Sequence, residues 1–200
     1  MGYMRDLPLV LILLTSGIIG LGCATQAPAP SHTPVPTTTS ASTIRESYED
    51  SYAGQTEPII NEMAIVLNHY VEVQDKYFSQ ITELAYASSS TTRSDLEQVI
   101  LEMTKETHET LKVVANHPVR WAAIHPPPEY EELHDLMLEI MKLRQEALER
   151  WLEGLGYLLV DPDKADQQIR QGDEFSNRAN DLYLEALKVG AALGFQFGER

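Results

Sequence analysis

A single cysteine, Cys23, serves a chain of 200 residues, and that scarcity excludes any disulfide framework within the chain. An oxidising compartment would offer no second thiol to pair, so stability has to come from packing. Basic residues are also scarce: 15 Lys and Arg stand against 30 Asp and Glu, for a formal net charge of −15. A surface this acidic repels phosphate backbones and anionic headgroups, so no nucleic-acid partner is expected and the folded part should stand off a membrane. The Cys-x-x-Cys-His of c-type haem attachment is missing. No glycine-rich loop follows a strand to cradle phosphate, and no segment reads convincingly as a strand. Ser, His and Asp are scattered without the convergence that a catalytic triad needs. Nor does any apolar run reach the roughly 20 residues of a membrane span.

The longest such run, Leu7 to Leu21, is the most informative segment present. Arg5 supplies a short basic start, the run follows, and the chain then reads Ile19-Gly20-Leu21-Gly22-Cys23. Basic start, apolar stretch and small residue at the cut are the layout of a secretory signal. With a cysteine directly after the small residue, the segment resembles a bacterial lipoprotein signal, departing from the usual pattern at Gly20, where Leu is commoner. The resemblance implies a signal peptide over 1–22, a diacylglyceryl group on the Cys23 thiol, and export to a lipid-anchored position on the cell membrane or outer membrane. Ala24, where an Asp is absent, leans toward the outer membrane in an organism that has one. Loss of Arg5 and Asp6 together leaves the net charge unchanged.

From Ala24 to Thr43 the chain has no charged side chain and is built from Ala, Ser, Thr and Pro, with Pro28, Pro30, Pro34 and Pro36 closely spaced. Residues 23–43 therefore read as a tether. At ~3.1 Å per residue in polyproline geometry its maximum reach is on the order of 60 Å.

After Thr43 apolar residues recur at helical spacing, and 44–200 reads as an all-α unit with room for one core. Ser42 to Ala53 is predicted as a short opening helix closed by Gly54. Thr56 is the expected N-cap of a long second helix, with Pro58 in its first turn. Ile60, Met63, Leu67, Tyr70, Gln74, Tyr77, Ile81 and Leu84 form its stripe. Ser88 to Thr92 breaks it, and Ser94 with Glu97 is a capping box for the next helix, which carries Leu96, Ile100, Met103, Thr107, Leu111 and Val114. His117 to Pro128 reads as a connection, because Pro118, Pro126, Pro127 and Pro128 each deny helix continuation.

A further helix starts near Glu129, with Leu133, Leu136, Ile140, Leu143, Ala147, Trp151 and Leu155 on one face and a weakened end at Gly154 and Gly156. Asp161 caps the last one, with Pro162 at its first position and Ile169, Ala179, Tyr183, Ala186 and Leu187 apolar. Four stripes, with short turns after the first and third long helices that force those pairs antiparallel, predict an antiparallel four-helix bundle with a short extra N-terminal helix.

The strongest hint of chemistry is Glu131-x-x-His134, the spacing that places a carboxylate and an imidazole on one face in di-iron bundles. It lacks a second copy. His69, His108 and His134 all fall beside their stripes, so they are expected to face solvent. His108 and His134 lie at similar height, with Glu185 close to that level, which leaves a surface metal site as the rival idea. Met63 and Met103 fit core positions better than haem ligation. Trp121, beside the proline-rich connection, reads first as a plug over one end of the bundle, with an exposed recognition residue as the alternative.

Finally, Pro126-Pro127-Pro128-Glu129-Tyr130-Glu131-Glu132-Leu133-His134 resembles a recurring type of bacterial lipoprotein in which Pro-Pro leads into a helix with Leu-His near its start. The likeness spans Pro126 to Leu193 and implies an exported helical module; it supplies no catalytic residues. The sequence thus points to a lipid-anchored envelope binding or interaction module with an envelope protein as partner, no catalytic residues and no cofactor. The alternative is a metal- or haem-binding bundle for storage, delivery or electron transfer.

Overall fold

The computed structural model describes residues 51–86 and 93–194, so Cys23, the tether, most of the predicted opening helix and the Ser88–Thr92 break lie outside the described residues. The described chain is all-α. It contains α1 (Tyr52–Tyr86), α2 (Arg93–Val114), α3 (Asn116–Ala122), a 3₁₀ turn at Pro128–Tyr130, α4 (Glu131–Tyr157) and α5 (Pro162–Ala192), and no strand is present among the described residues. None of these helices is long and apolar enough to cross a membrane.

The predicted stripes are the buried faces. Met63, Leu67, Tyr70, Ile81, Ile100, Met103, Leu133, Ile140, Trp151 and Ile169 all join one core. Period-3.6 spacing sets these faces locally, before any partner helix is considered. Local chemistry also sets the start of α5: Asp161 Oδ1 accepts a hydrogen bond from the Lys164 backbone N–H at 3.1 Å, with Pro162 in the first turn.

Three boundaries differ from expectation. Helix α1 runs unbroken through Gly54, Thr56 and Pro58. Thr56 is no N-cap; its hydroxyl donates to the Tyr52 carbonyl at 2.8 Å, while the Ser51 hydroxyl accepts from the Gly54 N–H at 3.1 Å and supplies the cap. The earlier start is favoured by Tyr52, whose ring is buried against Tyr130 and His134. At the start of α2, Ser94 already lies inside the helix and Glu97 accepts from Arg93 Nε at 2.8 Å. In the supposed connection, His117 to Ala122 belongs to α3: Pro118 falls in its first turn, where a missing N–H costs no intrahelical bond.

The most intimate pair is α4 with α5. Contacts step backward along α5 as they step forward along α4: Glu139 meets Arg178, Arg144 meets Ser176 and Asn180, and Gly154 meets Ile169 and Ala165. Apart from Ile169, the face α5 turns inward is small, comprising Ala165, Gly172, Ser176, Ala179, Ala186 and Gly190, all buried. A Cβ at Gly172 would lie 2.5 Å from the Trp151 indole and 3.0 Å from the Ala147 carbonyl. Gly154, expected to weaken α4, likewise allows close approach: a Cβ there would stand 2.7 Å from Ile169 Cγ1. Helix α1 packs on α2 and α3, and α2 on α4. The Tyr70 ring, from α1, stacks on Trp151 of α4 with centroids 6.1 Å apart.

Candidate functional site

Arg144 is the anomaly of the core. It occupies the stripe Met137, Met141, Arg144, Leu148, Trp151 and Leu155, every other member of which is an apolar buried residue, and it is itself only 7% exposed. Nη1 donates to Ser176 Oγ at 2.8 Å and more weakly to the Ser176 carbonyl at 3.5 Å; Nη2 donates to Asn180 Oδ1. No carboxylate among the described residues forms an ion pair with it. Burial lowers the guanidinium from 12.5 to about 10, which leaves it protonated at neutral pH. A cation withdrawn from water and met only by neutral dipoles carries a desolvation penalty on the order of several kcal/mol, larger than such hydrogen bonds ordinarily offset.

Arg144 also lines a cavity of about 20 Å³, together with Leu67 and Tyr70 from α1, Ala147, Leu148 and Trp151 from α4, and Asn180 from α5. That space admits a group about the size of one water molecule. Its walls are held by hydrogen bonds at the rear. The Thr107 hydroxyl donates to the Met103 carbonyl at 2.8 Å, so the Tyr70 hydroxyl is the donor of the 3.2 Å bond to Thr107 Oγ1. Trp151 Nε1 donates to Asp173 Oδ1 at 3.0 Å. Partial burial raises Asp173 to about 6 despite that hydrogen bond, which acts in the opposite direction.

A second polar cluster closes one end of the core. Trp121, 1% exposed, is a plug and not an exposed recognition residue. Its Nε1 donates to the His134 carbonyl at 3.0 Å, and its ring stacks on His134 with centroids 5.3 Å apart. His134 therefore does not face solvent as its position beside the stripe suggested; it is 6% exposed, and its Nδ1 shares a 3.1 Å hydrogen bond with the Tyr52 hydroxyl. Its place beside the stripe is misleading because Tyr52, Trp121 and Tyr130 extend the core around that side of α4. His117 is fully buried, with Nε2 3.7 Å from Glu62 Oε2 and no hydrogen bond at either ring nitrogen among the described residues. Burial lowers both His117 and His134 below the usual imidazole range.

The other candidate histidines are dispersed. His69 is 68% exposed beside Glu72, and His108 is exposed on α2. Among the described residues no group of three or more His, Cys, Asp or Glu side chains is placed to hold a metal ion. Met63 and Met103 are buried members of the core. The signal for Arg144 was present in the chain as a charged residue four after Ile140 and three before Ala147, inside an apolar period. Ser176 and Asn180 gave no such signal, because small and polar residues on α5 read as an ordinary helix surface. Comparison with known proteins finds no matching family model, curated protein or solved structure.

Proposed function

We propose that this chain is an exported, lipid-anchored binding module of the cell envelope, held to the membrane through Cys23 and lifted from it by the tether over 24–43. Its folded part is an antiparallel four-helix bundle, a reading supported by the reversed contact order of α4 and α5 and by the way Tyr70 bridges α1 to both Thr107 and Trp151. The observation that carries the functional reading is the Gly22-Cys23 junction directly behind Leu7 to Leu21. Two or three acyl chains on that cysteine make attachment firm, where one is marginal.

Binding, as opposed to catalysis, is supported by the chemistry of the cavity wall. A guanidinium and an amide can hold and orient a small polar group, while the Tyr70 hydroxyl is already committed to Thr107. The acidic surface favours partners other than nucleic acid.

Growth of expressing cells with a labelled fatty acid tests the anchor. The wild-type chain is expected to take up label and shift on processing, and Cys23→Ala to lose both. Export of an unlabelled wild-type chain would overturn the lipoprotein reading. Capture of partners from intact cells by the tethered form then identifies what the module meets in the envelope.

A further inference from the structure

We propose that the cavity beside Arg144 is a site for a single chloride ion, held by the guanidinium and the Asn180 amide as a structural anion of the core. The inference goes beyond the binding-module reading and stands whether or not Cys23 is lipidated.

Charge is the first argument. Arg144 is buried and forms no ion pair with a carboxylate among the described residues. Tyr183, which interacts with the guanidinium from α5, brings no negative charge at neutral pH, because burial pushes its phenol up from an already high value. Ser176 and Asn180 supply dipoles only. In a low-dielectric interior a monoanion beside the cation offsets far more of its desolvation cost than a further dipole does.

Donors are the second argument. A guanidinium has five N–H groups, and the three contacts to Ser176 and Asn180 leave at least two. Asn180 Oδ1 accepts from Arg144, which leaves the Nδ2 group of the same amide as a donor at the cavity wall. Helices α4 and α5 thus each bring N–H donors to one space, and Ser176 fixes the guanidinium before an ion arrives.

Space and wall chemistry select the ion. The cavity of about 20 Å³ is a little larger than the ~10–15 Å³ that one water needs, and chloride is only slightly larger than a water molecule. A monatomic ion has no body to place, so Leu67, Ala147, Leu148 and Trp151 keep their packed positions. Carboxylates, phosphate and sulfate are polyatomic and exceed the space. Most of the wall is carbon, and the Tyr70 hydroxyl is directed to Thr107, so a multiply charged or strongly hydrated ion would give up more solvation than the site returns. Water fits the same space but brings no charge, and the two occupants differ in what they predict for salt.

The test compares melting of the full purified chain, followed by circular dichroism, in sodium chloride and in sodium gluconate, whose anion is too large for the cavity. The net charge of −15 repels every anion, so both salts are used at equal ionic strength, where screening is the same. Chloride is expected to raise the melting temperature saturably, by about 3 °C or more over gluconate, and its NMR line to broaden on addition of the protein. Arg144→Met should keep the helical spectrum and lose both effects. Asn180→Asp places a carboxylate beside the guanidinium in place of the ion. It should melt in gluconate at least as high as the wild-type chain does and show no chloride dependence, which decides the question even if Arg144→Met fails to fold.

Equal melting of the wild-type chain in the two salts would overturn the proposal and leave the cavity to water. So would an undiminished chloride effect in folded Arg144→Met or in Asn180→Asp, since its source would then lie elsewhere on the molecule.

Discussion

The two polar clusters of the core solve the same problem in opposite ways. At the Trp121 end, His117 and His134 are buried and shed their charge: withdrawal from water lowers their affinity for the proton, and a neutral imidazole fits against Tyr52 and Trp121. Midway along α4, Arg144 is buried and cannot shed its charge, because even at about 10 its proton stays bound at neutral pH. The histidine cluster is thus a closed, aromatic end cap. The arginine cluster keeps a cation next to a cavity, held by Ser176 and Asn180 and paired with no carboxylate among the described residues. Each cluster is pinned by a tryptophan N–H, to the His134 carbonyl in one case and to the Asp173 carboxylate in the other.

The largest effect that separates the clusters should come from Trp121→Ala. This removes the plug, leaves the His134 carbonyl without its indole donor and exposes Tyr52, and should cost about 3–5 kcal/mol in urea unfolding. A loss below about 1 kcal/mol would show that the histidine end is not closed by packing.

A smaller effect sharpens the arginine side. Gly172→Ala brings a methyl group into Trp151 and should cost about 1–3 kcal/mol while changing tryptophan emission. Gly156→Ala, at an exposed helical position with nothing within 4 Å of the added carbon, should instead stabilise by about 0.5–1 kcal/mol. Equal signs for the two would contradict the close approach of α5 to Trp151.

The smallest effects are in titration, and the two clusters should have opposite slopes. For His117 and His134 the folded value lies below the unfolded one, so the unfolded chain binds protons first; their contribution is full above about pH 6.5 and is lost as pH falls through that value. Asp173 behaves in reverse. Raised from 3.8 to about 6, it favours the folded state while protonated, and its penalty grows between those values and is complete above about 6. Melting curves should therefore show Asp173→Asn raising stability at pH 8 with no gain near pH 3.5, and His134→Gln reducing the acid loss below about pH 6.5. His108→Ala, at an exposed position, serves as the control and should leave unfolding stability at pH 7 within about 0.5 kcal/mol.

The sequence by itself determined what depends on neighbours within about one helical turn. Three-four spacing along Ile60 to Ile81 and Leu133 to Leu155 marked the buried faces, and Asp161-Pro162 marked the start of α5, because periodicity and capping are local chemistry. Tertiary structure decided whatever depends on the facing element. Helix α1 starts at Tyr52, before the predicted Thr56 cap, because Tyr52 finds Tyr130 and His134; α3 forms where prolines suggested a connection because Trp121 has an end to cover. His134 lies beside its stripe and is buried nonetheless, since residues 82 and 13 positions away complete its surroundings. Arg144 sits in its stripe, and whether an arginine there is expelled, paired or held by dipoles depends on Ser176 and Asn180 across the helix interface. No local pattern encodes that, because the cost of burying a charge is set by the groups that surround it in space.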